Sequence, residues 1–443
     1  VPTAEPIPLH LAGNNAPVAE ERDAVPTVVI GEIPEDLAGQ YFRNGPNPRT
    51  GVSTHLYDGD GMIHSISLRD GRASRYRNRY VRTPLYENPG VDRMMLAFDP
   101  ATKTIDHRVS TANTHVVEHA GRLLALEEGG LPYEVDRDLA TIGPYSFGGA
   151  LTAAMCAHPK TCPRSGELLF FGVSLSPPHL TYYCAAPSGE LTSADTISMP
   201  RATLMHDFAM TATKVVFFDS MITFDLGRLA RGGSPFSWDD THGARVGVMP
   251  RGGTDADVRW FPIEPCHLSH SANAYDDRDT VVVTGTRIGH ADGLPYLHRW
   301  TIDLRSGSVR EEALDDDASE YPRLPDALVG LRHRFVYSTS FVYEAEPDHR
   351  EIYKYDLVAG VRTVHRLPAG HTCGEPVFVA RRDARREDDG YLITFAHDRS
   401  TDRSYVLLVD AGDVGAAPVA EVHLPVRVPA GFHGTWLPED PTG

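Results

Sequence analysis

The segment Glu264-Pro-Cys-His-Leu-Ser-His-Ser-Ala-Asn-Ala-Tyr-Asp-Asp277 gathers side chains able to do chemistry. Cys266, His267, His270, Asn273 and several carboxylates fall within fourteen residues. The segment runs directly into Thr280-Val-Val-Val-Thr284, a β-branched run that reads as a buried strand. Polar, metal-capable groups at the mouth of a strand are costly to bury unless something satisfies them. A metal ion would do so, and so would an ordinary hydrogen-bonded turn. Spacing alone does not choose, because Cys266, His267 and His270 form neither a CxxC nor an HExxH pattern.

Three other histidines stand in comparably unusual contexts among the 21 of the chain. His158 lies in Cys156-Ala-His-Pro-Lys160, His206 in Leu204-Met-His-Asp-Phe208, and His433 in Pro429-Ala-Gly-Phe-His-Gly-Thr-Trp436. With His270 they would make an imidazole cluster free of carboxylate ligands. Such a cluster suits iron, zinc, copper or nickel and disfavours magnesium and calcium, which want oxygen. Each of the four also reads as a satisfied core or turn histidine, and local context does not set them above His115, His267 or His371.

Elements able to position such groups are almost all strands. Met62–Leu68, Thr114–Glu118, Arg122–Leu126, Glu167–Phe171, Lys214–Phe218, Ile352–Leu357, Tyr391–Phe395 and Ser404–Val409 are short apolar runs separated by turn residues. Long helical periodicity is absent, and short helices are expected only around 147–157 and 224–231. Ile222-Thr-Phe-Asp-Leu226, Trp300-Thr-Ile-Asp-Leu304 and Tyr353-Lys-Tyr-Asp-Leu357 recur loosely, as though one strand type were reused in successive blades. A large all-β domain follows, with a propeller favoured over a sandwich. Residues 1–26 read as an N-terminal surface or partly disordered arm, and 27–443 as one domain. Within it, 232–257 and 381–390 read as exposed insertions.

Composition narrows the partners. A net charge of -18 excludes a nucleic-acid backbone. Five scattered cysteines argue against a disulfide framework and suit a reducing compartment. The opening VPTAEPIPLHLAGNNAPVAEE holds no apolar core of signal-peptide type, and the sequence has no run of 18 apolar residues. The expectation is a cytoplasmic protein, with contact to a membrane surface left open.

The motifs then resemble a known family, the carotenoid cleavage oxygenases, which include lignostilbene dioxygenases and the retinoid isomerase of the eye. The matching stretches are Phe42-Arg-Asn-Gly-Pro-Asn-Pro48, Tyr57-Asp-Gly-Asp-Gly-Met-Ile-His64, Leu126-Glu-Glu-Gly-Gly-Leu-Pro-Tyr133 and Ala157-His-Pro-Lys160. Met205-His-Asp-Phe208, His270-Ser-Ala-Asn-Ala-Tyr-Asp276, Gly374-Glu-Pro376 and Gly431-Phe-His-Gly-Thr-Trp436 continue them in the family's order.

The resemblance implies a seven-bladed β-propeller with a dome of loops and short helices over an axial Fe(II). It implies His158, His206, His270 and His433 as the ligands. His270 takes the role rather than His267 because the family's ligand stands three residues before the Asn of its motif, here Asn273. Glu128, Glu320 and Glu375 would accept hydrogen bonds from ligating imidazoles, fixing ring orientation and offsetting the cation's charge. No catalytic residue beyond the iron centre is implied.

The implied reaction is oxidative cleavage of a conjugated double bond by O2, giving two carbonyl products. A long apolar polyene would enter a tunnel lined by Phe147, Phe208, Trp238, Phe261, Tyr275 and Phe432. Lignostilbene-cleaving members carry a Lys where this chain has Glu127, and a Tyr in the region that here reads Arg93-Met-Met-Leu-Ala-Phe-Asp-Pro100. A carboxylate at 127 would repel a phenolate. Both departures favour a carotenoid or apocarotenoid over a stilbenoid such as resveratrol or isoeugenol. Reversible membrane contact through a weak apolar patch at Leu226–Phe236 is expected, with no obligate protein partner. An isomerase would share the same iron site. A propeller serving only as a binding module would be expected to have lost a ligand or a supporting Glu, and all seven are present.

Overall fold

The computed structural model describes residues 8–102, 104–225, 227, 228, 231, 234–343 and 347–439. Two compact units are distinguished. One comprises Val1–Tyr145, Val342–Lys354 and Thr363–Gly443; the other comprises Ser146–Phe341 and Tyr355–Arg362.

The first unit holds three antiparallel sheets of four or more strands among the described residues. One runs in the order Arg22–Ala24, Arg72–Tyr80, Gly61–Arg69, Gly39–Pro46, Gly434–Pro438, so the last strand of the chain pairs with one of the first. Tyr41 stands opposite Trp436 in that pairing. A second sheet likewise joins the ends, Val28–Gly31 lying against Ala420–His423 and then Arg403–Asp410, Gly390–Asp398 and His371–Cys373. The third is Thr141–Pro144, Tyr133–Val135, Arg122–Leu126, His115–His119. Asp70 and Gly71 (φ 51° and 68°), and Ala120 and Gly121 (52° and 75°), make two of the tight hairpin turns. Positive φ at both central residues matches the right-handed twist of the flanking strands.

The second unit begins with the sheet Lys160–Thr161, Leu168–Val173, Leu180–Ala185, Leu191–Ile197. Next comes Ala209–Met210, Lys214–Asp219, Arg245–Pro250, Arg259–Pro262. His267–Asp277, Thr280–Ile288, Pro295–Asp303 and the first part of Val309–Arg323 follow. The far end of Val309–Arg323 leaves that sheet to pair with Phe335–Ser340, beginning another.

Strand composition explains which strands are central. Arg403–Asp410, Lys214–Asp219 and Thr280–Ile288 are buried on both faces, so they carry continuous apolar runs rather than alternation. Leu191–Ile197 lies at a sheet margin and alternates residue by residue. Val246, Val283, Phe218, Trp300 and Ile302 fill one core of the second unit, and Tyr41, Tyr76, Ile393, Phe395 and Leu408 fill one of the first.

Several expectations are corrected. Only a 3-10 turn, Phe147–Gly149, occupies the first expected helix, because Gly148 and Gly149 take positive φ (69° and 91°). Two short α-helices were not expected, Pro84–Glu87 and Arg93–Ala97, capped by the Thr83 hydroxyl and the Asp92 carboxylate. In the second expected helix, 224–231, Gly227 and Arg228 are helical, while 226, 229 and 230 lie outside the described residues, as do 232 and 233 of the apolar patch at 226–236. The supposed insertion 232–257 contributes the central strand Arg245–Pro250. The described part of the N-terminal arm is tied to the first unit. Arg22–Ala24 joins its sheet, and Asn47 both donates to the Val18 carbonyl and accepts from its N–H at 2.8 Å. Of the three recurring Asp-Leu segments, Ile222–Phe224 belongs only to a two-stranded ribbon. What the three share is local: Asp225, Asp303 and Asp356 each accept backbone N–H bonds from residues two or three ahead, an Asx turn that ends the strand.

Candidate metal centre

Within the second unit three segments bring imidazoles together. His158 sits in the loop before Lys160–Thr161, His206 in the loop before Ala209–Met210, and His270 inside the strand His267–Asp277. The His206 Nε2 lies 3.2 Å from the His158 Nε2 and 3.1 Å from the His270 Nε2. The rings meet edge to face, with centroids 4.5–5.0 Å apart.

Local irregularity aims His270. The pairing of its strand with Thr280–Ile288 shifts register between Leu268 and Ser271 and again before Asn273. Such a bulge re-aims a side chain that a regular strand would point elsewhere. Gly285 stands opposite it, where a Cβ would come within 2.7 Å of the His270 carbonyl oxygen, so only glycine fits. The His270 backbone N–H is taken by the Thr286 hydroxyl at 3.0 Å.

The other nitrogen of His270, Nδ1, donates to Glu320 Oε2 at 2.6 Å. Glu320 is buried, which alone would raise its pKa. The His270 charge and hydrogen bond, the Ser269 hydroxyl and the Tyr321 N–H outweigh burial and bring it down to about 2. Glu320 sits where Val309–Arg323 slips register, beside Tyr321 with φ 55°. A bulky residue in the left-handed region is strained backbone, here adjoining the carboxylate that holds the ring.

When the ring is neutral, a proton on Nδ1 makes the His270 Nε2 the acceptor nitrogen that faces the cluster. Three imidazole nitrogens at 3.1–3.2 Å cannot all be satisfied by one another, since each neutral ring has a single N–H. A cation among them resolves the conflict, and neutral nitrogen donors suit Fe(II), Zn(II) or Co(II). The residues present therefore fit a transition metal.

His267 is excluded from this cluster. Its Nδ1 bonds the Ser220 hydroxyl at 3.1 Å, and burial, reinforced by His206 and His270, pushes its pKa down to about 3. Asn273 is structural: its amide receives the Gly330 N–H at 2.8 Å and donates to the Leu328 and Leu331 carbonyls.

The first unit repeats the imidazole–carboxylate arrangement. His433, buried in the segment before Gly434–Pro438, places Nδ1 3.0 Å from Glu375 Oε1, and Glu375 Oε2 accepts the Gly434 N–H at 2.7 Å. The His115 ring lies 5.3 Å from that of His433, and the His115 Nε2 contacts the Thr435 hydroxyl at 3.3 Å. Glu128 follows the strand Arg122–Leu126 and is half-buried. His371 pairs its Nδ1 with the Tyr405 hydroxyl at 3.0 Å.

The family model described as retinal pigment epithelial membrane protein matches residues 15–438. A carotenoid cleavage oxygenase of Mycobacterium tuberculosis is 37% identical over 97% of both chains. This chain belongs to the carotenoid cleavage oxygenase family. Carotenoid 9,10(9',10')-cleavage dioxygenase 1 of Arabidopsis thaliana is 34% identical over 98% of this chain and 91% of its own. The crystal structure of lignostilbene dioxygenase from Pseudomonas brassicacearum superposes with a TM-score of 0.86 at 28% identity, covering 98% of this chain and 100% of that one. A variant of apocarotenoid oxygenase from Synechocystis gives 0.84 at 26%, covering 96% and 97%. The fold is the seven-bladed β-propeller of this family.

The expected tunnel aromatics separate into groups. Phe147 is buried and stacks on Phe170 at 5.4 Å, and Phe432 is half-buried beside Tyr57 at 5.5 Å. Phe208 is fully buried, edge-on to Phe171 and stacked over Phe217, as a sheet-core residue. The remaining three stand in other surroundings. Phe261 belongs to the core with Val246 and Trp300. Trp238 stacks on the exposed His290 and donates to Asp240, so it lies at the surface. Tyr275 packs between His333 and the Arg332 guanidinium.

The argument from Glu127 also changes. Its carboxylate is buried and ion-paired with Arg93 at 2.5 Å, while the Gly129 N–H donates to it at 2.9 Å. Arg93, the first residue of the segment that lacks the Tyr, is thus bonded to Glu127. Glu127 is neutralised by Arg93 and does not act as a free charge against a phenolate.

Proposed function

We propose that this protein is a non-haem Fe(II) dioxygenase that cleaves a conjugated carbon–carbon double bond of a carotenoid or apocarotenoid to two carbonyl compounds. The observation that carries this reading is the convergence of the Nε2 atoms of His158, His206 and His270, with Glu320 holding the Nδ1 of His270, in a member of this family. We assign His433, oriented by Glu375, as the fourth ligand, and Glu128 as the third supporting carboxylate. Fe(II) held there supplies the electrons that let O2 react with an alkene. The histidines hold the metal without adding charge. The carboxylates fix the rings and offset the cation without occupying its coordination positions. Apolar loop residues, Phe147 and Phe432 among them, would select one double bond by where they stop a rigid polyene.

The relatives named for carotenoid cleavage, at 37% and 34% identity, support the substrate class. Similarity to lignostilbene dioxygenase supports stilbenoid cleavage as the second reading. The deciding assay is aerobic turnover by the Fe(II)-loaded protein of all-trans-apo-8′-carotenal in detergent, followed by product mass and absorbance. A shorter polyene aldehyde with loss of the long-wavelength band is expected. Turnover of resveratrol without turnover of the apocarotenal would select the second reading.

For location we propose the cytoplasm with reversible contact to a membrane surface, where an apolar polyene accumulates. The free state of all five cysteines accords with a reducing compartment. No helix among the described residues is long and apolar enough to cross a membrane. The contact is better placed at Val91, Met94, Met95 and Phe98, all exposed, than at 226–236; Met95 is 81% exposed. The charge of -18 weakens attraction to anionic lipid. Co-sedimentation with neutral liposomes at low and high salt is expected, and should fall when Met94 and Met95 are changed to Ser. Absence of binding at both salt concentrations, with substrate still cleaved from micelles, would remove the membrane contact.

A further inference from the structure

The three ligand-bearing segments of the second unit share one buried carboxylate. Asp207 directly follows His206, and its side chain is 2% exposed. Its Oδ1 receives Lys160 Nζ at 2.7 Å and the Phe208 N–H at 2.7 Å. Its Oδ2 receives the Ser271 N–H at 2.7 Å. Lys160 stands two residues after His158, and Ser271 one residue after His270. The Ser271 N–H lies at the bulge, on the strand that forms the outer edge of its sheet. Lys160 also lies over the Phe208 ring, 5.8 Å from its centroid, which restricts where the ammonium can go.

We propose that Asp207 is a positioning residue for the metal centre, setting the spacing of His158, His206 and His270 by bonding all three segments at once. The inference rests on the histidine-centre reading above and adds a residue to it. Its physical content is geometric. Donor nitrogens must meet one ion at nearly equal distance, yet these three lie on separate stretches of chain, and this carboxylate bonds all three stretches. Three donors converge on two oxygens, one of them a charged ammonium, so the bonds are of the strong, charge-assisted kind. Loss of groups that orient metal ligands weakens metal affinity by about 10–100-fold.

The test is Co(II) binding to the metal-free full-length chain, read by chelator competition and by visible ligand-field absorption, beside the melting temperature of the metal-free protein. Asp207→Asn preserves size and shape but turns one acceptor oxygen into a donor, so at least one of the three donors must lose its partner. The expected result is at least a tenfold loss of Co(II) affinity, on the scale of other orienting partners, with a changed absorption envelope. Lys160→Met, which releases only the His158 segment, should give a smaller loss of the same sign. A merely structural carboxylate would lower the melting temperature while Co(II) affinity and absorption stayed at the wild-type values, and that result would overturn the proposal. If Asp207→Asn does not fold, Lys160→Met decides by the same criterion. Failure of the wild-type protein itself to bind Co(II) would strike down the histidine centre and this inference together, which distinguishes it from failure of the variants alone.

Discussion

Two histidine–carboxylate pairs in the second unit look alike and are built for opposite ends. His270 meets Glu320 at 2.6 Å, and His242 meets Asp219 at 2.9 Å. Both carboxylates are buried. The difference is which ring nitrogen is used. His270 gives Nδ1 to its carboxylate, which leaves Nε2, the distal nitrogen, pointing into the imidazole cluster. His242 gives Nε2 to Asp219, whose other oxygen is held by Arg245 at 2.8 Å. Its distal nitrogen is therefore spent on an internal ion pair. His433 follows the first pattern with Glu375; His397 and His423 follow the second. A carboxylate beside a histidine is thus no mark of a metal site. A carboxylate on Nδ1 with Nε2 directed at other donors is.

The largest effect should come from deleting a ring on each side of this contrast. His206→Ala should abolish stoichiometric Fe(II) binding and double-bond cleavage together. His242→Ala should leave cleavage within about threefold of wild type and cost about 2 kcal/mol in urea unfolding, the worth of a hydrogen bond to a charged group. Equal loss of metal from both variants would erase the distinction.

Smaller losses should follow from the carboxylates. Glu320→Gln and Glu375→Gln each keep the ring's neighbour but remove its charge, and metal affinity should fall by about 10–100-fold. Asp219→Asn should leave metal affinity unchanged. Chelator competition on the three variants measures this directly, and retention of full affinity by both Gln variants would count against the orienting role.

The smallest effect concerns a buried histidine outside both pairs. His333 accepts from Asn273 at 3.0 Å, and burial pushes its pKa down to about 4 from 6.5. As pH falls below 6.5 the unfolded chain takes up a proton that the folded chain refuses until about pH 4, so folding stability falls across that window. His333→Gln should flatten that part of the stability profile without altering metal affinity. An unchanged profile would show that His333 titrates alike in the folded and unfolded chain.

Much of the fold was legible because its determinants are local. Continuous apolar runs announced strands buried on both faces, and Asp-Gly and Ala-Gly pairs announced hairpins. The recurring Asp-Leu segments were visible too, although what they share is an Asx turn rather than membership of a blade. The expected helix at 147–157 failed because glycine conformation, not hydrophobic periodicity, governs that loop. The aromatics expected along a tunnel were legible as residue types and not as positions. Trp238, Phe261 and Tyr275 differ from Phe147 in which face of a strand or loop they occupy, and an alternating side chain changes face with a one-residue shift of register.

Sequence by itself determined the chemical inventory: imidazoles in four distinctive contexts, acidic residues in fixed motifs, no framework of paired cysteines, and strands enough for an all-β domain. Tertiary structure alone decided what each group does. It turned Glu127 from a free charge into the partner of Arg93, bonded His267 to Ser220, and set the Nε2 atoms of His158, His206 and His270 side by side. The reason is distance along the chain. Residue type fixes what a side chain can donate or accept. Which nitrogen is left free depends on a partner tens of residues away, brought near only when the sheets have packed.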